Sequence, residues 1–260
     1  MVDLPLMGRN ALVTGVSRRR GIGFAVASRL AAMGASLALH HHSPHDRAEY
    51  GESDDLESLY DEVRGQLVRD ARLVALAGDL GETSAPARLV GEAQAAFGHL
   101  DILVCNHAHG GDEVSIWDAT PDAFDRHWTV NTRATLLLTQ AFAAQHDEQS
   151  PGRVVWMTSG QGLGPMSDNL AYATSKAALA GATASVAADL AEKNVLLNTV
   201  NPGPVNTGYL DDAPAELVER FPTGRIGEPD DPARLIGWLV SDDARWVVGQ
   251  VLNTEGGFLR

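Results

Sequence analysis

Three residues in the second half of the chain could carry out acid–base chemistry on a carbonyl group. Tyr172 and Lys176 lie four positions apart, and Ser159 precedes them at the end of the apolar segment 154–159. If Tyr172 and Lys176 share a helix, they lie on one face, about one turn apart. A free tyrosine has a pKa of about 10, and a neighbouring ammonium group favours its phenolate form. Tyr172 could then exchange protons near neutral pH while Ser159 holds the substrate oxygen.

The same spacing has an ordinary structural interpretation, in which a tyrosine and a lysine are exposed on the surface of a helix. A Tyr-x-x-x-Lys motif alone does not separate the two interpretations. The choice therefore depends on the elements that would position these residues.

The composition describes a globular α/β protein. The chain of 260 residues is 44% hydrophobic and 21% charged, which fits a single domain over 1–260 with a sizeable core. Its net charge of −14 disfavours nucleic acid and anionic membranes as partners. The single cysteine, Cys105, excludes an intrachain disulfide. No segment has the pattern of a signal peptide or a membrane span, so we expect a cytoplasmic protein.

The first predicted elements have the order of a dinucleotide-binding site. A buried strand over 10–14 leads into the glycine-rich segment Gly15–Gly23, and a helix is predicted over 24–33. Glycines let the backbone approach a pyrophosphate, and the helix N-terminus offers N–H groups and the positive end of a dipole. The alternative is a tight strand–helix turn that binds nothing.

Three adjacent histidines end the second predicted strand, over 37–42. An NAD site usually carries an acid at this position, which accepts a hydrogen bond from the ribose 2′-hydroxyl. Its absence permits NADP(H), and the arginines at 18–20 together with Ser43 could bind the 2′-phosphate. Consecutive strand residues point to opposite faces, so these histidines cannot converge on one ion. We therefore expect no metal site.

The remaining chain alternates strands with helices. Strands are predicted at 72–80, 101–106, 154–159, 196–200 and 249–253, and helices at 56–69, 85–97, 121–145 and 231–240. Segment 44–54 is expected to be a surface loop, and 205–228 a mobile substrate flap. Asn131, inside the long predicted helix, indicates either a bend or an exposed residue. The pattern predicts an α/β fold, a single-domain doubly wound parallel sheet of the Rossmann type with helices on both faces. Its ligands would bind beyond the strand C-termini.

Taken together, the motifs resemble the short-chain dehydrogenase/reductase family over almost the full chain, and in particular its 3-oxoacyl-carrier-protein reductase-like members. The motifs that carry the resemblance are Thr14-Gly15 to Gly23, Asp79-Leu80, Asn131, Ser159, Tyr172 with Lys176, Asn201-Pro202-Gly203, Thr207 and the tail Gly249–Gly257. The resemblance implies that Ser159, Tyr172, Lys176 and Asn131 form the catalytic group, with Asn131 holding a water that relays protons to Lys176.

The resemblance and the strand ends together predict the residues around a nicotinamide cofactor. The expected cofactor-binding residues are Gly15, Ser17, Arg20, Gly21, Ile22, Gly23, His41, His42, Ser43, Asp79, Leu80, Asn106, His107, Ala108, Tyr172, Lys176, Pro202, Gly203, Val205 and Thr207. The chain departs from the family in its glycine loop, which is two residues longer than usual, and at Cys105-Asn106-His107-Ala108. Arg20, just before the middle glycine, favours NADP(H) over NAD(H).

We expect hydride transfer between this cofactor and a small ketone or secondary alcohol, possibly of the 3-oxoacyl type. The alternatives are a non-catalytic NADP-binding sensor on the same fold and a dehydratase or epimerase. The substrate pocket is predicted to be lined by the segments Gly110–Trp117 and Tyr209–Phe221, including Tyr209 and Leu210, together with Gln161, Leu163 and Met166. The resemblance also implies a homotetramer, or a homodimer, packed through the long helices.

Overall fold

The computed structural model describes residues 4–51 and 53–260. Its centre is one sheet of seven strands in the order β3-β2-β1-β4-β5-β6-β7, and every neighbouring pair is parallel. The strands are β1 (Asn10–Val13), β2 (Ser36–His41), β3 (Leu73–Ala77), β4 (Ile102–Cys105), β5 (Gly152–Met157), β6 (Val195–Asn201) and β7 (Val251–Asn253). The predicted doubly wound parallel sheet is confirmed.

Helices cover both faces of this sheet. In the described part of the chain they are α1 (Ile22–Ala32), α2 (Ser43–Tyr50), α3 (Leu56–Arg64), α4 (Ala85–Phe97), α5 (Pro121–His127), α6 (Ala134–Gln145), α7 (Leu170–Ala191), α8 (Ala215–Glu219) and α9 (Asp230–Leu239). Helices α1, α3 and α9 pack on one face, and α4, α6 and α7 pack on the other. None of the helices in these ranges has the length and hydropathy to cross a bilayer.

The continuous apolar strands follow from burial on both faces. In β1, Ala11 and Val13 belong to the core under α1, whereas Leu12 belongs to the core on the opposite face. All three side chains are fully buried. A strand covered on both sides needs apolar residues at every position, so it shows no alternation of apolar and polar side chains.

The polar segment 44–54, which we predicted as a surface loop, instead begins with helix α2. Pro44 occupies its first turn together with the acidic Asp46, and Gly51 ends it with a left-handed φ of 77°. A proline and an acid stabilise a helix start, and a left-handed glycine closes a helix. These end signals define α2 without an apolar face, and a search for apolar periodicity therefore missed it.

The predicted helix over 121–145 is three consecutive segments. A π-helical segment, Trp128–Arg133, separates α5 from α6. Asn131 lies in this segment and is completely buried, so the exposed alternative is wrong, and the helix is irregular where the asparagine indicated. A π-helical turn widens the helix by one residue and often occurs at functional sites.

Two other boundaries differ from the prediction. Helix α3 ends at Arg64, where Gly65 follows, rather than at 69. The segment 205–228 carries the short helix α8 and is held at both ends by a bridge between Val205 and Gly227.

Candidate active site

A cleft of about 1010 Å³ lies at the carboxyl ends of the strands. The loops that follow β1 to β6 all contribute to its walls, together with α2 and the start of α7. The sheet order changes direction between β1 and β4, and a crevice forms where neighbouring loops turn to opposite faces. The site is thus at the edge predicted from the strand ends.

The glycine-rich loop forms a tightly packed backbone cradle on one side of the cleft. Gly15 has a φ of 72°, and a Cβ atom there would lie 2.9 Å from the Cα atom of His107. A Cβ atom on Gly23 would lie 2.2 Å from the Gly15 carbonyl oxygen. Gly21 caps the N-terminus of α1, where unpaired N–H groups face an incoming anion. Gly15, Gly21 and Gly23 also line the cleft beside this helix end, an arrangement of backbone that fits a pyrophosphate.

Two residues after β4 fix the shape of this cradle. The Asn106 amide donates hydrogen bonds to the carbonyl oxygens of Thr14 and Gly15, both at 3.1 Å. His107 Nδ1 lies 2.7 Å from Thr14 Oγ1, and its Nε2 lies 3.0 Å from the Val130 carbonyl. Burial lowers the pKa of His107 to about 3, so a neutral imidazole bridges the β1 loop and the π-helical segment.

The three arginines of the glycine loop have different surroundings. Arg18 lines the cleft and donates to the Thr207 carbonyl at 2.8 Å. Arg19 points outward to Glu62, and Arg20, predicted to bind the cofactor, forms an exposed ion pair with Asp211. The structure therefore places Arg18 rather than Arg20 at the cleft. The two extra residues of the loop turn consecutive arginines in different directions, which motif spacing could not show.

The side chains of the three histidines at the end of β2 point alternately toward the cleft and away from it, as the geometry of a strand requires. His40, which we did not predict, is buried at the cleft, where its Nδ1 accepts from the Gly15 N–H at 3.3 Å. Burial lowers its pKa to about 4. His42 also lines the cleft, 3.9 Å from Asp79. His41 was predicted as a cofactor ligand, but its ring points away toward Tyr60.

Helix α2 forms the wall next to the histidines. Ser43, predicted to bind a phosphate, starts this helix and does not line the cleft; Pro44, His45, Asp46 and Glu49 do. The His45 ring packs edge-on against the His109 ring, with centroids 5.6 Å apart. The helix thus adds two carboxylates that the loop interpretation placed on the surface.

Ser159, Tyr172 and Lys176 belong to the same cleft as the glycine loop. All three line the cleft: Ser159 follows β5, and the other two lie one turn apart on α7. Lys176 is buried, and its Nζ atom lies 5.6 Å from the centroid of the Tyr172 ring. The same ammonium group donates to the Met157 carbonyl at 3.0 Å. Burial lowers the pKa of Lys176 to about 8.

Asn131 lies behind this group and does not line the cleft. Its amide donates to the His109 carbonyl at 3.1 Å and to Ser175 Oγ at 3.0 Å, and its Oδ1 accepts from the His109 N–H at 2.7 Å. These bonds tie the loop after β4 to α7. The side chain that we predicted in the catalytic group thus positions two other elements.

Loops after β6 complete the far end of the cleft. Of the predicted cofactor residues, all line the cleft except Arg20, His41 and Ser43. Of the predicted substrate residues, Met166 and Tyr209 line it, whereas Gln161, Leu163 and Leu210 do not. Gln161 instead donates to Thr158 Oγ1 at 3.1 Å. Polar residues that we did not predict also line the cleft: His109, Asp125, Arg126, Thr129 and Asn169. His109 belongs to the loop after β4, the next three to α5 and the π-helical segment, and Asn169 precedes α7. Of the predicted segment 110–117, Gly110 and Glu113 line the cleft, and of the segment 209–221, Tyr209 does.

Comparisons with known proteins identify the family of the chain. A family model described as enoyl-(acyl carrier protein) reductase matches residues 15–259. The chain is 34% identical over 253 residues to an oxidoreductase of Bacillus subtilis, YjdA, covering 96% of each chain. It is 34% identical over 275 residues to a hydroxynaphthalene reductase-like protein of Metarhizium anisopliae, covering 97% of this chain and 95% of that protein.

A solved structure gives the same result for the fold. A short-chain dehydrogenase of Burkholderia cenocepacia in complex with NADP superposes with a TM-score of 0.84 at 32% identity, covering 97% of this chain and 98% of that one. With a matching family model and relatives over nearly the whole length, this chain belongs to the short-chain dehydrogenase/reductase family of oxidoreductases.

Proposed function

We propose that the protein transfers hydride reversibly between NADP(H) and a small ketone or secondary alcohol. One observation carries the proposal: the buried Lys176 ammonium group lies 5.6 Å from the centroid of the Tyr172 ring. Both residues and Ser159 line the cleft, which the glycine-rich loop also lines. A proton donor and a dinucleotide-sized cleft at one site are what carbonyl reduction requires.

The residues of the chain would divide the proton chemistry among them. The Ser159 hydroxyl donates a hydrogen bond to the substrate oxygen and fixes its position. The Tyr172 hydroxyl gives its proton to that oxygen, and the charge of Lys176 stabilises the phenolate that remains. When bound, the nicotinamide supplies the hydride in the reducing direction. Asn131 acts as a positioning residue, because its amide is committed to His109 and Ser175.

The cleft offers distinct contacts to the parts of a dinucleotide. The pyrophosphate would lie on Gly15, Gly21 and the N-terminus of α1. Arg18 provides positive charge for a 2′-phosphate, and the His42 ring lines the same cleft. The NADP-bound relative from Burkholderia cenocepacia supports this cofactor. Asp46 and Glu49 lie on the same wall and would favour the ribose hydroxyls of NAD(H), so affinities for both cofactors must be compared.

The substrate that we favour is a free, partly apolar ketone. Met166 and Tyr209 provide apolar surface at the catalytic end, and the relative from Metarhizium anisopliae is named for hydroxynaphthalene reduction. A 3-oxoacyl group on a carrier protein would have to approach a chain of net charge −14. Such a charge repels an acidic protein partner. A panel of cyclic aryl ketones and 3-oxoacyl thioesters distinguishes the two classes.

Replacing Tyr172 by Phe tests the mechanism directly. We expect kcat to fall by at least about 1,000-fold, since general acid–base groups contribute about 10²–10⁴-fold, while NADPH affinity changes less than about threefold. Tyr60→Phe is the matched control, because the Tyr60 hydroxyl is buried outside the cleft and donates only to the Val16 carbonyl. Wild-type turnover in Tyr172→Phe would overturn the mechanism. NADPH binding without reduction of any carbonyl would instead support a sensor.

We also propose that the protein assembles as a homotetramer, or as a homodimer, through α7. Small residues at helical spacing are exposed along this helix: Thr174, Ala177, Gly181, Ala184 and Ala188, with Ser185 and Asp189 exposed beside them. Small side chains let two helices approach closely. In the single chain this face is open to solvent, which leaves it available to a second copy.

A further inference from the structure

A group of metal-binding residue types lies beside the catalytic wall. The ligand atoms of His109, Asp112 and His127 all lie within 4.8 Å of one another. The His127 ring is also edge-on to the Tyr172 ring, with centroids 6.2 Å apart. The proton chemistry proposed above uses none of these three side chains.

His127 has a buried nitrogen without a hydrogen-bond partner. The residue is completely buried, and its Nδ1 lies 2.9 Å from the Ala123 carbonyl. A carbonyl accepts only from an N–H group, so Nδ1 carries the proton and Nε2 carries a lone pair. Among the residues that the structure describes, none forms a hydrogen bond to Nε2 that meets the geometric criteria. A buried polar atom left unpaired costs about 1–3 kcal/mol, and a ligand for Nε2 would remove this cost.

The other two residues are held in place by their surroundings. Asn131 binds both the N–H and the carbonyl of His109. The His109 ring lies 4.6 Å from the His127 ring between centroids, and its Nε2 is 3.1 Å from Asp112 Oδ2. Asp112 adopts a left-handed φ of 59°, and Arg126 binds both of its carboxylate oxygens, at 2.9 and 3.0 Å.

We propose that His109, Asp112 and His127 form a binding site for one divalent transition-metal ion of the Zn²⁺ class. Two imidazoles and one carboxylate are a ligand set that Zn²⁺ accepts, with water as a fourth ligand. The Ala123 carbonyl on Nδ1 of His127 is the outer-sphere partner that orients a metal-binding imidazole. Zn²⁺ bonds of about 2.1 Å place neighbouring ligand atoms about 3.4 Å apart, so the donors must close by roughly 1 Å.

The arrangement permits this closure. Asp112 belongs to the loop after β4 rather than to a helix or strand. Its Oδ2 can bind the ion while Arg126 Nη2 keeps its bond to Oδ1. The competing interpretation is a hydrogen-bonded network of His109, Asp112 and Arg126 beside a neutral His127, which binds no ion.

Calorimetric titration of the metal-free full chain with ZnCl₂ separates the two interpretations. We expect one ion per chain, and at least about tenfold weaker binding in His127→Gln and in Asp112→Asn. Co²⁺ bound at the site should absorb strongly in the visible region, as it does in four-coordinate sites, and the variants should lose this band. His99→Gln is the matched control, because His99 also lies beside a carboxylate, 3.3 Å from Asp101, but has no third donor.

Each result decides the matter. Absence of Zn²⁺ binding by the wild-type chain would overturn the proposal, and so would equal losses in His127→Gln and His99→Gln. Thermal unfolding in EDTA shows whether each variant folds. If His127→Gln does not fold, the Zn²⁺ affinity of Asp112→Asn, which changes a partly exposed residue, tests the proposal. The titration needs neither cofactor nor substrate, so its failure leaves the proposed hydride transfer untouched, and the reverse also holds.

Discussion

Lys176 has the most unusual environment among the residues that would act on substrate. Its ammonium group is buried and has the Met157 carbonyl as a hydrogen-bond partner. Burial disfavours the charged form, which lowers the pKa of Lys176 from 10.5 to about 8. The positive charge that stabilises a Tyr172 phenolate is therefore present at neutral pH and is lost in a mildly alkaline range.

This pKa predicts a pH dependence of turnover. We expect the rate of ketone reduction to fall as pH rises through about 8, by up to tenfold per pH unit, because the protonated fraction of Lys176 falls at that rate. Initial rates between pH 6 and 10, with cofactor and substrate saturating, measure the effect. A rate that stays constant to pH 10 would contradict it.

The stability of Lys176→Met provides the control. The folded-state pKa is below the unfolded value, so burial of the charged lysine costs free energy fully below pH 8. The cost shrinks between about 8 and 10.5 and vanishes above. The melting temperature of Lys176→Met, relative to wild type, should therefore be highest near pH 7 and decline over that window, while activity is lost throughout.

Arg18 and Arg20 form a second pair of residues for comparison. Arg18 lines the cleft, whereas Arg20 is paired with Asp211 in solvent. We expect Arg18→Ala to weaken NADPH binding about tenfold, since hydrogen bonds to charged groups contribute about 1.5–3 kcal/mol, with little effect on NADH. Arg20→Ala should change neither affinity by more than about twofold. Fluorescence titrations with both cofactors measure these affinities. A loss of NADPH affinity in Arg20→Ala as large as that in Arg18→Ala would contradict the prediction.

The sequence allowed prediction of Ser159, Tyr172 and Lys176 because their spacing is set by one strand and one helix. It did not distinguish Arg18 from Arg20, since the direction of a side chain in an irregular loop depends on backbone angles. The His109, Asp112 and His127 cluster was also missed. Its residues come together only through a left-handed turn at Asp112 and the fold of α5 against the loop after β4.

At the scale of elements, the glycine loop is the most constrained piece of backbone. A Cβ atom on Gly23 would lie 2.2 Å from the Gly15 carbonyl oxygen and 2.6 Å from Asn106 Nδ2. Neither neighbour can move without breaking the bonds that shape the cradle. This contact explains a glycine at 23 without reference to the cofactor.

We expect Gly23→Ala to destabilise the fold by about 1–3 kcal/mol, the usual cost of overpacking, and to weaken NADPH binding at least tenfold. Gly91→Ala is the matched control, because Gly91 lies in the middle of α4 with open space around it. That substitution should stabilise the protein by about 0.5–1 kcal/mol. Urea unfolding and cofactor titration test both, and equal effects of the two would refute the packing argument.

Elements with an apolar face were predictable, and elements without one were not. Strands β1 to β6 and helices α1, α4 and α9 were predicted to within a few residues from apolar patterns. Helix α2 has no such pattern, and only its proline, acid and glycine define it. The π-helical segment keeps the apolar spacing of a helix, so only Asn131 indicated it.

For the whole molecule, the parallel direction of the strands follows from chain connectivity. Alternating strands and helices allow a parallel sheet with right-handed crossovers, and the strand ends then gather the site without any further information. Association between copies depends on exposed helix faces. From one sequence, a face of small residues that binds another copy cannot be distinguished from a face that is buried within the chain. The structure makes that distinction for α7, where Thr174, Ala177, Gly181, Ala184 and Ala188 are exposed.

Light scattering at several concentrations tests the assembly. We expect a mass of four chains, or two, and we expect Ala184→Glu to reduce it, because a buried charge without a partner costs several kcal/mol at an interface. Ala87→Glu, at an exposed position of α4, should leave the mass unchanged. A wild-type mass of one chain at all concentrations would refute the proposal.

Helix α2 lines a part of the cleft that is distinct from the proposed site of proton transfer. It contributes Pro44, His45, Asp46 and Glu49 to the wall near the end of β2, whereas proton transfer relies on β5 and α7. In the proposed function, the groups beside the nucleotide, which are Arg18 and the residues of α2, and the acid–base residues thus belong to different stretches of chain. An engineer could exchange 43–50 to retune the enzyme toward another reductant and leave the turnover machinery intact.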